Sequence, residues 1–184
     1  MVGMAGSYIA SFKYIMKLGW IAVAILTIAS ASDAALAQQA KSLKDRLVGT
    51  WNFVVAEVTA PDGTKTFPFG ETPKGILIFT SDGHFAQIHV ASDVPKIASN
   101  NRLTGTAEEY AAIMRRSISV FGAYAVDEDK KIVTFKIVSA SFPNWEGEAQ
   151  TRVIDKLTDD EFANTNPNVA GGRGSALNRY RRAK

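Results

Sequence analysis

From Gly49 onward the chain repeats one pattern: short runs rich in β-branched and aromatic residues, each closed by a turn signal. The first run, 50–58, ends at Pro61-Asp62-Gly63, with proline and glycine in their usual turn positions. Runs 75–80 and 84–90 flank Ser81-Asp82-Gly83, and Asp-Gly between β-rich runs is a strong short-range hairpin signal. Further runs fall at 119–127, 131–141, 147–157, 161–166 and 175–182, with 127–130 and 158–160 as polar turns. Eight short antiparallel strands must hide two sheet edges or close on themselves. Closure removes the edges and encloses room for side chains or one small ligand. The pattern alone leaves a two-sheet sandwich open.

One segment departs from it. Thr106-Ala107-Glu108-Glu109 is a capping box, and Tyr110, Ile113 and Met114 follow at helical spacing, so one short amphipathic helix is expected there. The glycine-rich stretch 171–174 reads as a flexible connection between the last two strands, because no strand-then-helix context makes it a phosphate cradle.

Composition narrows the chemistry. With no cysteine in 184 residues, disulfides, thiolate zinc sites and cysteine nucleophiles are excluded. A formal charge of +3 is too small to argue for nucleic acid, and the basic run 179–184 reads as a solvated strand end. His84 and His89 are five apart in one strand, hence on opposite faces and unable to chelate one metal. No Ser-His-Asp order and no nucleotide fingerprint is present, and no cofactor is expected.

The first 37 residues have the layout of a secretory signal: Lys13 and Lys17, an apolar stretch 18–28, then Ala35-Leu36-Ala37 before Gln38. A membrane anchor needs about 20 apolar residues, more than this run supplies. The expected organisation is a cleaved signal at 1–37, a lead-in at 38–46 and one barrel domain at 47–184. The product would be periplasmic or secreted, with no stable membrane insertion.

Leu47-Val48-Gly49-Thr50-Trp51 resembles the glycine-x-tryptophan opening of lipocalins. Pro68-Phe69-Gly70-x-x-Pro73-x-Gly75-x-Leu77, Phe121-Gly122-x-Tyr124-x-Val126-Asp127 and Phe142-Pro143-Asn144-Trp145-x-Gly147-x-x-Gln150-x-Arg152 resemble, in order, three blocks of the lipocalin-like domain family of small bacterial and fungal proteins. The resemblance implies an eight-stranded up-and-down barrel with Trp51 as its floor, covered by Arg179, Arg181 or Arg182 as a cation–π partner. Where family members often have histidine before the last block, this chain has Phe135-Lys136.

Within such a barrel, Asn144 and Trp145 would line the mouth or cap the core. Gln150 and Arg152 share a strand face with Glu148, Ile154 and Lys156. Charge content turns that face to solvent, while the family block turns Gln150 and Arg152 inward, where Arg152 would meet an anionic head. His89, Tyr124, Ser139 and Ser141 complete the candidate cavity residues, the serines as a hydroxyl-lined end. The leading reading is an exported barrel that binds a small hydrophobic or amphipathic ligand with a polar or anionic end. The alternatives are a cofactor-free lyase, isomerase or cyclase using Arg152, Tyr124 and His89, and a structural or protein-interaction module. Export itself predicts that N-terminal sequencing of the product begins at Gln38, whereas retention of Lys17 in a membrane fraction would mean an anchor.

Overall fold

Among the described residues, nine antiparallel strands form a single sheet in the order β2-β1-β3-β4-β5-β6-β7-β8-β9, and β9 pairs back onto β1. The computed structural model describes residues 41–169, 172 and 174–184; the segment read as a secretion signal lies outside the described residues. The strands are β1 (Gly49–Thr59), β2 (Lys65–Thr66), β3 (Lys74–Phe79), β4 (His84–Val90), β5 (Ser117–Asp127), β6 (Ile132–Ala140), β7 (Ala149–Leu157), β8 (Glu161–Asn166) and β9 (Ser175–Arg182). Eight of them close the barrel, and the two-residue β2 merely extends the far end of β1. Closure replaces a free edge with eight residue pairs from Trp51↔Arg182 to Thr59↔Ser175. The sandwich is thereby excluded.

Helix α1 (Leu43–Leu47) precedes β1, in the stretch expected to be a plain lead-in. Helix α2 (Ala107–Arg116) joins β4 to β5. Its capping box is formed as the sequence specifies: the Glu109 amide donates to the Thr106 hydroxyl and the Glu109 carboxylate accepts from the Thr106 amide. The other Glu109 oxygen accepts from the Ala98 amide, tying α2 to the connection before it.

Strict alternation is broken in three strands. Phe53 and Tyr180 face each other, but the next pair is Val55 with Arg179, so β1 carries an extra residue. In β6 the partners step from Ile137 to Ser139 while β5 moves only from Gly122 to Phe121. In β7 they step from Ile154 to Lys156 while β8 moves from Asn164 to Ala163. Each bulge reverses which face the following side chains take. Gly122 sits at one of these irregularities because a Cβ there would lie 2.0 Å from the Lys136 carbonyl oxygen.

The end of the barrel that carries α1 is closed by side chains. Trp51 and Leu47 are fully buried, and the Trp51 ring packs on Phe162 at 5.6 Å. Of the three arginines the family resemblance offered, Arg182 is the one over the indole, 4.0 Å from its centroid. Arg182 also donates to the carbonyls of Val48 and Arg46, and the Trp51 indole N–H donates to the Leu47 carbonyl at 2.8 Å. Glycine precedes by two because the chain there adopts φ 127°, and a Cβ on Gly49 would lie 2.9 Å from Arg182. At the other end of α1, the Glu128 carboxylate accepts from the amides of Leu43 and Lys44, anchoring the helix to the β5–β6 turn.

The basic C-terminal run is therefore not a solvated tail: Tyr180 is buried and Arg182 is built into the floor. Because Trp51 fills the floor, Trp51→Ala should cost about 3–5 kcal/mol in chemical denaturation. Arg182→Met, which keeps the stem and deletes the cation, should cost about 1–3 kcal/mol. A loss below about 1 kcal/mol for Trp51→Ala would contradict the floor role.

Candidate functional site

Away from the floor, polar side chains enter the barrel. On β7, Gln150, Arg152 and Ile154 point inward while Ala149, Thr151 and Val153 are turned out. Alternation alone would have kept Lys156 on the face of Arg152, which makes that face look solvated. The bulge after Ile154 moves Lys156 to the outside, where it pairs with Glu161, and returns Leu157 to the core.

The Arg152 guanidinium lies 5.8 Å from the Phe135 ring and donates to the Gln150 side-chain oxygen at 2.8 Å and to the Thr151 carbonyl at 2.9 Å. Among the described residues no carboxylate pairs with it. Desolvation lowers its pKa to about 10. The cation is retained at neutral pH, carrying a penalty that a counter-ion would relieve.

Opposite, His89 on β4 is buried, with its ring stacked on Phe53 at 3.6 Å and its Nε2 3.2 Å from the Tyr180 hydroxyl. Burial, reinforced by the nearby Arg152 charge, lowers its pKa to about 3. Burial pushes Tyr180 up. The pair is thus neutral and hydrogen-bonded at ordinary pH. Phe69, from the connection between β2 and β3, packs edge-on against both Phe53 and His89 and covers this side of the barrel. His84, on the other face of β4, is exposed beside Asp82.

The remaining side is open. Between β6 and β7 the chain makes one 3-10 turn (Pro143–Trp145), started by the φ-restricted Pro143 and ended where Gly147 takes φ 78°. Trp145 packs against the core and edge-on to Phe142 at 5.6 Å. Trp145 also lines a cavity of about 670 Å³ at the barrel mouth. Asn144, Gln150, Arg152, Asn166 and Asn168 share that cavity. A second cavity of about 30 Å³ lies inward, between Gln87, Phe135, Trp145, Gln150 and Arg152.

The structure therefore brings together Asn144, Trp145, Gln150 and Arg152, with His89 in the wall nearby. It separates two other candidates from them. Tyr124 stands at the closed end, its hydroxyl donating to the Thr80 carbonyl in the β3–β4 turn. Ser141 is exposed, accepts from the Ser119 amide, and borders a groove on the outer surface with Phe121 and Ser139. The extra residue in β6 is the cause: it pairs Ser139 with outward-facing Phe121, so the expected hydroxyl-lined cavity end does not form. Sequence reasoning misses Asn166 and Asn168, which lie beyond β7 and carry no spacing that links them to it, and it does not single out Phe142, although that residue opens the family block of Gln150 and Arg152, or Gln87, although it shares a strand face with His89.

A model of the lipocalin-like domain family matches residues 48–177 of the chain. No curated protein matches it in sequence. Among solved structures it is similar to a lipocalin-like protein from Bacteroides uniformis, with 14% identity, 75% of this chain and 99% of that one covered, and a TM-score of 0.42. It is also similar to a de novo designed fluorescence-activating β-barrel, at 14% identity over 78% of this chain and 99% of that one, with a TM-score of 0.41.

The buried imidazole makes a testable contribution to stability. Unfolded, His89 takes up a proton near pH 6.5; folded, it resists protonation down to about 3. Its contribution is complete above pH 6.5 and is lost as the pH falls from there toward 3, by about 1.4 kcal/mol per unit. His89→Gln should remove this one-proton slope from denaturation stability measured between pH 6.5 and about 4.5, above the range of the lowered carboxylates. An unchanged slope would place the imidazole in contact with water.

Proposed function

This chain belongs to the lipocalin-like domain family, and from that premise we propose that it is an exported barrel that binds a small amphipathic molecule in the mouth between β6, β7 and β8. The observation that carries this reading is Arg152: an inward guanidinium, largely desolvated, without a carboxylate partner among the described residues, bordering a cavity of drug-like size. A guest with a polar or anionic end would balance the charge, and its apolar part would lie against Trp145 and Phe142. Export rests on the signal-like residues 1–37.

No comparable observation favours the enzyme reading. Of the three groups it assembles, Tyr124 stands at the closed end, and the Nε2 of His89 is engaged by Tyr180.

Arg152→Met separates a binding role from a structural one. Removing an unbalanced buried cation should leave stability equal or higher, while affinity for an anionic guest falls by about 2–5 kcal/mol in calorimetric titration. Stability lost with affinity unchanged would make Arg152 a strut between strands and withdraw it from the site.

A further inference from the structure

We infer that the guest is a flat, oxygen-substituted ring carboxylate, held carboxylate-inward on Arg152 and Gln150 with its ring against Trp145. The inference rests on the binding reading above and adds the chemical class. Three features of the cavity select it.

The first is depth. A long-chain fatty acid needs an apolar tunnel, and the barrel interior is occupied by aromatic side chains. Phe85 packs on Phe135 at 4.5 Å, His89 on Phe53 at 3.6 Å, and Tyr180 on Phe162 at 5.5 Å. The inner cavity measures about 30 Å³, room for a group about the size of one water's share of the liquid. A carboxylate can reach into it; an alkyl chain cannot thread through it.

The second is charge. Arg152 is the one cation among the described residues lining the two cavities, and Glu148 borders the outer one. One guanidinium matches a monoanion with two coplanar oxygens. A phosphate dianion would leave a charge unbalanced against a single guanidinium.

The third is the rim. A purely hydrocarbon body would be met by apolar side chains, yet Asn144, Asn166 and Asn168 stand beside Trp145 around the mouth. The Asn166 side-chain oxygen already accepts from the Asn168 amide at 3.1 Å, so what Asn166 offers a guest is its NH₂ donor. Amides in this position suit hydroxyl or keto oxygens on a ring. Trp145 suits the ring itself.

The test is calorimetric titration of the exported chain with hydroxynaphthoate, naphthalenemethanol, naphthyl phosphate and palmitate, repeated on Arg152→Met. Hydroxynaphthoate should bind at least about tenfold tighter than the other three, and in Arg152→Met the acid and the alcohol should converge. If the alcohol binds as well as the acid to the unaltered protein, or if phosphate or palmitate binds best, the ring-carboxylate inference is overturned while small-molecule binding stands. Failure of all four to bind overturns both.

Discussion

The arrangement of the barrel depends on the clasp between Trp51 and Arg182. The first residues of β1 and the last of β9 meet there, and the guanidinium over the indole also holds the carbonyls that end α1. A barrel closed by backbone pairing alone would leave a large ring facing water at one end and unpaired carbonyls beside it. Here one arginine covers the ring and satisfies the carbonyls together, and the Glu128 carboxylate secures the opposite end of the same helix. With one end closed this way, the opposite end becomes the only approach among the described residues to the polar groups inside.

The interior divides accordingly. Near the floor, Trp51, Phe79, Phe162 and Phe135 pack at centroid distances of 5.6–6.0 Å and supply the buried apolar area that a disulfide-free domain depends on. Toward the mouth the side chains become polar, and desolvation pushes the pKa values of His89 and Arg152 below their ordinary values. Histidine responds by staying neutral. Arginine cannot, so its charge is left seeking a partner, and that difference is why Arg152 rather than His89 points to a ligand.

Most of the strand plan was legible in the sequence because turn chemistry marks it: Pro61-Asp62-Gly63 and Ser81-Asp82-Gly83 end strands where the structure ends them, and the capping box at Thr106 starts α2 where it starts. The site was only half legible, and the bulges are the reason. Period-two reasoning assigns Ser139 and Ser141 to the face of Phe135 and Lys156 to the face of Arg152, and one extra residue in each strand reverses both assignments. No residue type advertises such a bulge from its own strand, since it is a property of the pairing. The family blocks did carry part of the missing information: Gly122 sits where β6 approaches closely, Phe69 covers the His89 side, and Gly147 ends the turn that presents Trp145.

The seat of the guest, at the mouth, at the floor or in the outer groove, decides between the readings of this barrel. The most direct measurement is a backbone and side-chain amide NMR titration of the protein with an aromatic carboxylate. With the guest at the mouth, the Trp145 indole, the side-chain amides of Asn144, Gln150 and Asn166, and the Arg152 guanidinium shift together with one affinity, while the Trp51 indole and the Tyr124 amide at the closed end do not move. Shifts centred on Phe121 and Ser139 on the outer surface, or on Trp51 at the floor, would contradict it.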